Sequence, residues 1–230
     1  MEILELINSG SKELKNSNIN SYKLDSEILL SKILNKTREE ILINLNDQAT
    51  TRTIQSYKKL IARRSSKEPI AYILKKKEFW SKNFFVDQST LIPRPETELM
   101  VEKLVNIFQK KDINVLDIGT GTGCILLSLL SELNNSKGIG IDISQKAIQV
   151  AIRNSKKHKL NNRTRFYKKC FTEVYDSKFD LIVSNPPYIK KKDIKNLADD
   201  IKKFEPKLAL DGGNDGLDVI KKVIYKSRSI

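Results

Sequence analysis

Up to residue 75 the chain repeats its apolar side chains at intervals of three and four, the spacing of one helical face. "NSYKLDSEILLSKIL" sets Leu24, Ile28, Leu29, Ile33 and Leu34 on one stripe. "TREEILINL" then follows with Thr37 as an N-cap and acids in the first turn. "TIQSYKKLIARRSSKEPIAYIL" carries the period to Pro69, where a boundary is expected. The pattern changes in "EFWSKNFFVDQSTLIPRPETE", where aromatic and β-branched residues at strand spacing precede two prolines flanking Arg94, which predicts a hairpin. A helix resumes in "TELMVEKLVNIFQKK" through Leu99, Val101, Leu104, Val105 and Phe108.

From residue 113 short apolar runs alternate with helical patterns: "INVLDIG", "GCILLSLLSEL", "KGIGIDIS", "QKAIQVAIRNSKKH", "TRFYKKC" and "FDLIVSN". Such βαβ alternation predicts a parallel sheet covered on both faces by helices. The expected organisation is a helical domain at residues 1–78, a hairpin linker at 79–95 and an α/β domain at 96–230. The helices are too few to form an enzyme alone, so an accessory or substrate-recognition role is expected of them.

Three strand ends carry the candidate chemistry. "VLDIGTGTGC" runs from a strand through Gly119, Gly121 and Gly123 into a helix, and glycines there permit positive φ and close approach of a ligand. Its G-x-G-x-G spacing lacks the later glycine of the dinucleotide fingerprint and the Lys-Ser/Thr ending of a P-loop. Asp142 ends the next strand, where a carboxylate can accept from both hydroxyls of a ribose. "SNPPYI" ends the fourth, and Pro186 and Pro187, which fix φ and donate no hydrogen bond, leave that segment presenting carbonyl oxygens in a fixed shape. Together the three elements specify a nucleoside-bearing cofactor in the crevice at the strands' carboxyl ends.

With these residues in view, the sequence resembles the class I methyltransferases that carry an [N/D]PP[Y/F] motif. Within them it resembles the HemK/PrmC family of peptide chain release factor glutamine methyltransferases. "EPIAYIL", "LIPRPETE", "LDIGTGTGCI", "FDLIVSNPPYI" and "EPKLALDGGNDGL" carry the resemblance, in the family's order and over nearly the whole chain. It implies a Rossmann-like α/β fold, S-adenosylmethionine as cofactor, and methyl transfer to the glutamine amide of a Gly-Gly-Gln motif in class 1 release factors.

The resemblance places Gly119, Thr120, Gly121, Thr122, Gly123, Asp142 and Asn185 on the cofactor, and Cys170 with Phe171 beside the adenine. It places Asn185, Pro186, Pro187 and Tyr188 on the substrate glutamine, with Arg94 and Glu96 ordering the linker at the border of the site. An N-cap at Thr97 is the plainer reading of that last stretch. The chemistry implied is direct: Asn185 and the Pro186 carbonyl accept the two amide N–H bonds and aim the nitrogen, while Tyr188 packs over the reacting group. The family's sheet normally has seven strands and this chain supplies four before "VIKKVIYKSRSI", so an incomplete sheet, with the Asn185 strand near an open edge, is expected.

Composition changes this picture little. The 230 residues carry a net charge of +14, with 33 Lys, 9 Arg and 28 Asp plus Glu. The excess is spread along the chain: 16 bases against 11 acids up to residue 88 (+5), and 26 against 17 beyond it (+9). No arginine and aromatic stripe accompanies it, so a nucleic-acid surface is not required. One histidine, His158 in "SKKHKL", and two cysteines, Cys124 and Cys170, are too few for a histidine triad, a metal cage or a disulfide scaffold. His158 is expected on a solvated helix, the cysteines as small buried apolar residues. A start carrying early acids and no long apolar run predicts a cytoplasmic protein with no membrane partner; a monomer is expected. Two other readings stay open here: an amino-methyltransferase of nucleic-acid bases, and a non-catalytic remnant that binds a partner through its helices.

Overall fold

In the computed structural model, which describes residues 1–175 and 178–230, the chain divides into Met1–Leu74 and Lys75–Ile230. The first unit is helical: α1 (Ile3–Asn16), α2 (Tyr22–Leu34), α3 (Arg38–Ile43), α4 (Thr51–Ser65) and α5 (Ile70–Leu74). Thr37 caps α3 by accepting from the Glu40 amide, and Thr50 caps α4 by accepting from Thr53, each satisfying an orphan donor of a first turn. Ile3, Leu6 and Leu14 of α1 bury against Leu29 and Leu30 of α2 and Tyr57 and Ile61 of α4.

The predicted α2 stripe is corrected in part. Leu24 is exposed, while Asp25, Ser26 and Glu27 are buried beside Leu29 and Leu30. Pairing explains the shift. Asp25 accepts from Arg64 at 2.7 Å, Glu27 from Arg38 at 2.5 Å, and the Ser26 hydroxyl lies 2.8 Å from the Ile7 carbonyl and 2.6 Å from the Tyr57 hydroxyl. Buried polar groups with partners cost little, so a stripe counted on apolar residues alone is rotated from the true one.

The second unit opens with a hairpin of β1 (Lys77–Phe79) and β2 (Lys82–Phe84), paired antiparallel. Its turn residues Trp80 and Ser81 both take positive φ, 52° and 51°, matching the turn whose twist suits two strands joined by two residues. After it come α6 (Glu98–Phe108), β3 (Asn114–Ile118), α7 (Cys124–Glu132), β4 (Lys137–Asp142), α8 (Gln145–Lys157), β5 (Thr164–Lys168), β6 (Leu181–Ser184), α9 (Asp199–Phe204) and α10 (Asp218–Ser227). The four strands β3 to β6 form a parallel sheet in the order β5-β4-β3-β6, so the expected α/β fold is observed. Val115 and Val183 bury against Leu126, Leu129 and Leu130 on one face, and Leu116, Ile118 and Ile141 meet Val174 and Val223 on the other. Among the described residues β6 pairs in this sheet with β3 alone.

Thr97 does not cap α6. A 3₁₀ turn at Pro95–Thr97 leads into that helix, Thr97 is already in the right-handed region, and its side chain makes no capping bond; Pro95 has set the backbone two residues earlier. Among the described residues no helix is long and apolar enough to cross a membrane.

Candidate active site

Strand register alone brings the three motifs together. Ile118 of β3 pairs with Ile141 of β4 and with Ser184 of β6. One residue beyond each, at the same edge of a parallel sheet, stand Gly119, Asp142 and Asn185.

The glycine loop is built to hug the sheet. Gly119, Gly121 and Gly123 take φ of 72°, 52° and 77°, and a Cβ on Gly119 would meet nothing within 4 Å, so the space above it is open. The amides of Gly119 and Thr120 both donate to the Ile141 carbonyl, at 2.9 and 3.0 Å. The Thr122 carbonyl accepts from Asn154 of α8 at 2.9 Å. Asp142 then fixes the crest: its carboxylate accepts from the Gly121 amide at 3.0 Å and from the Ser144 amide at 2.8 Å. Burial raises its pKa, against the pull of those two amides, and its remaining lone pairs can accept two hydroxyls.

Asp117 is a further acid that spacing did not single out. It is fully buried beneath the loop, where one carboxylate oxygen accepts from the Thr120 hydroxyl at 2.7 Å. Burial, with Asp142 nearby, pushes its pKa up to about 7. The signal was present as the acid of "LDIG", two residues before the first loop glycine.

Asn185, Pro186 and Tyr188 line a small pocket of about 130 Å³, walled also by Leu91, Arg94 and Leu210. At ~30 Å³ per water, that is room for about four waters, the scale of one carboxamide side chain. Arg94 donates to Glu205 at 2.7 Å, and Glu205, almost fully buried, also accepts from the Ile92 amide at 3.4 Å. Burial raises the Glu205 pKa and the Arg94 charge opposes it. This ion pair joins "IPRPETE" to "FEPKLAL" behind the pocket. Glu205 opens the motif "EPKLALDGGNDGL", but its pairing with Arg94, 111 residues away, is visible only in the fold.

A second wall comes from "LDGGNDGL". Ile189 donates to the Leu210 carbonyl at 3.1 Å, and Gly212 donates to the Ile189 carbonyl at 2.8 Å. A Cβ on Gly212 would lie 2.7 Å from the Tyr188 Cα and 2.8 Å from the Pro187 oxygen, so the loop can lie this close only without one.

The other expected site residues are placed as follows. Pro187 stands in this clamped segment, while Tyr188 is 62% exposed at the pocket's rim. Glu96 is exposed in the Pro95–Thr97 turn and is not part of the pocket wall. Cys170 lies two residues beyond Lys168, the β5 partner of Asp142, and its sulfur accepts from the Thr172 hydroxyl at 3.0 Å. Phe171 packs instead into the apolar cluster of Leu116, Ile118 and Ile141. Neither cysteine is a fully buried apolar residue; both are half-buried, and burial pushes the Cys124 thiol up to about 12. His158 is not on a solvated face: it terminates α8 half-buried with its ring 4.8 Å from that of Phe84, and burial lowers its pKa.

With this geometry established, similarity to known proteins is informative. Residues 5–74 match the family described as PrmC N-terminal domain, and residues 109–212 the family described as Methyltransferase domain. The release factor glutamine methyltransferase of Buchnera aphidicola subsp. Acyrthosiphon pisum is 42% identical over 228 residues, covering 99% of this chain and 81% of that protein. The bifunctional methyltransferase of Rickettsia typhi is 37% identical, over 94% of this chain but 46% of its own length. Among solved structures, the hMettl16 catalytic domain in complex with MAT2A 3'UTR hairpin 1 aligns with a TM-score of 0.52 at 17% identity, covering 74% of this chain and 62% of that one. At that identity the likeness concerns the fold.

Proposed function

The chain belongs to the release factor glutamine methyltransferase family, and from that premise we propose that it methylates the side-chain amide of the glutamine in the Gly-Gly-Gln motif of class 1 release factors, using S-adenosylmethionine. The observation that carries this reading is the pocket of about 130 Å³ at Asn185, Pro186 and Tyr188, one residue beyond the strand that pairs with the glycine-loop strand. A carboxamide suits that volume, and the presence of Asn185 and Pro186 in the lining supports the reading.

The cofactor's fit rests on the open space over Gly119 and on Asp142, whose carboxylate keeps lone pairs free for ribose hydroxyls at the end of β4. Gly119 to Gly123 and Asp142 would hold it, with Cys170 beside the adenine. S-adenosylmethionine supplies an electrophilic methyl on a sulfonium sulfur. The chain's residues do the rest by position. An amide nitrogen is a poor nucleophile because its lone pair is delocalised into the carbonyl. The Asn185 side-chain oxygen and the Pro186 carbonyl accept its two N–H bonds, localise density on nitrogen and aim it. Tyr188 closes the rim, its ring face available to positive charge passing toward nitrogen. Arg94 and Glu205 keep the pocket wall in place. The helical unit serves to recognise the substrate, and the protein acts as a cytoplasmic monomer.

Asn185→Ala tests the mechanism. Loss of one such acceptor is expected to lower kcat on the order of 10² to 10³-fold at saturating S-adenosylmethionine, with its binding titrated alongside so that a cofactor effect of Asn185 is read separately. Wild-type turnover in that variant would contradict it.

A further inference from the structure

A second, larger cavity lies outside the site described above. It is an open cleft of about 650 Å³ between α8 and the segment that follows the hairpin, and it shares no lining residue with the Asn185 pocket. Lys75, Lys146 and Arg153 stand on its walls with one acid, Asp87. Asp87 is already engaged locally, its carboxylate accepting from the Ser89 amide at 2.9 Å and from the Ser89 hydroxyl. Among the described residues none of the three cations is ion-paired to a carboxylate. The positive field extends further along the helix: Lys157 donates to the Asn83 carbonyl at 2.5 Å, and burial, Lys76 and Arg153 together lower its pKa. Lys146, Arg153 and Lys157 recur at spacings of seven and four on α8, one helical face.

We propose that this cleft docks an acidic stretch of the protein substrate and so sets specificity for the whole release factor. The inference rests on the reading of a release factor as substrate, and two observations choose the occupant. Single-stranded nucleic acid wants an aromatic platform for its bases. Here Phe85, the aromatic residue of the lining, already carries the Arg153 guanidinium 3.6 Å from its ring centroid. Carboxylates on a peptide need separated donors instead, and lysine and arginine heads interspersed with Gln88 and Gln149 amides supply them. The second observation is continuity. The cleft wall ends at Ser89 and the glutamine pocket begins at Leu91, at most about 7 Å along an extended chain. One short segment thus contributes residues to both.

The test compares wild type with Lys146→Glu/Arg153→Glu and, separately, Lys75→Glu, which leaves the helix untouched. Binding of full-length factor is read by titration, and transfer kinetics are read on both the factor and a short Gly-Gly-Gln peptide. The expected result is roughly tenfold weaker factor binding and higher KM with a shallower salt dependence, while the peptide's kcat/KM and S-adenosylmethionine binding stay at wild-type values. Unchanged factor binding in both variants overturns the inference. So does a loss confined to binding of an RNA oligonucleotide, which would make the occupant a nucleic acid. Factor binding is measured without turnover, so a wild-type protein that grips the factor but transfers no methyl would sink the catalytic reading and leave this one standing.

Discussion

Among single residues, two buried acids are held by defined partners: Asp117 accepts from the Thr120 hydroxyl and Glu205 from Arg94. Asp117 has a measurable signature. Its folded pKa of about 7 stands above the ordinary 3.8, so between those values the folded state binds a proton the unfolded chain has released. Stability from this group is therefore greatest below pH 4 and falls as pH rises toward 7, by about 4 kcal/mol at 1.36 kcal/mol per unit. Urea unfolding, followed by the fluorescence of Trp80, the one tryptophan of the chain, should show that slope in wild type and lose it in Asp117→Asn. Parallel pH profiles for the two proteins would show that Asp117 titrates normally. The glycines, Asp142 and Asn185 could be read from sequence because each sits at a strand end where spacing is local. Glu205 could not, since what makes it part of the site is an ion pair formed only after folding.

At the scale of elements, parallel register explains why three separated motifs meet: equal positions along neighbouring strands reach one edge together. The alternation of β and α runs was therefore enough to forecast the sheet. Helical phase was less legible, as α2 shows, where paired Asp25 and Glu27 occupy buried positions that an apolar count assigns to Leu24. The loop carrying Gly212 illustrates the other gap, because close packing against Tyr188 leaves no periodic trace in sequence. Gly212→Ala puts a Cβ 2.7 Å from both the Tyr188 Cα and the Gly216 oxygen. Overpacking of that kind costs roughly 1–3 kcal/mol. The variant is expected to lose that stability and to show a lower kcat with S-adenosylmethionine affinity retained; full activity would mean that this wall does not hold the pocket's shape.

For the whole molecule, a helical unit and a methyltransferase sheet share one chain, and the two family matches fall one on each. The net charge of +14 is spread along the chain, and three of its cations, Lys75, Lys146 and Arg153, share the cleft beside α8. The fold class was legible because it depends on the order of elements, whereas the cleft depends on which lysines face a common space. The central claim, methyl transfer to one glutamine amide, is tested most directly by incubating the 230-residue chain with methyl-labelled S-adenosylmethionine and a class 1 release factor, alongside the same factor with its Gly-Gly-Gln glutamine changed to alanine. Label on the unmutated factor alone is the predicted result; equal labelling of both, or of neither by a folded protein that binds the cofactor, would contradict it.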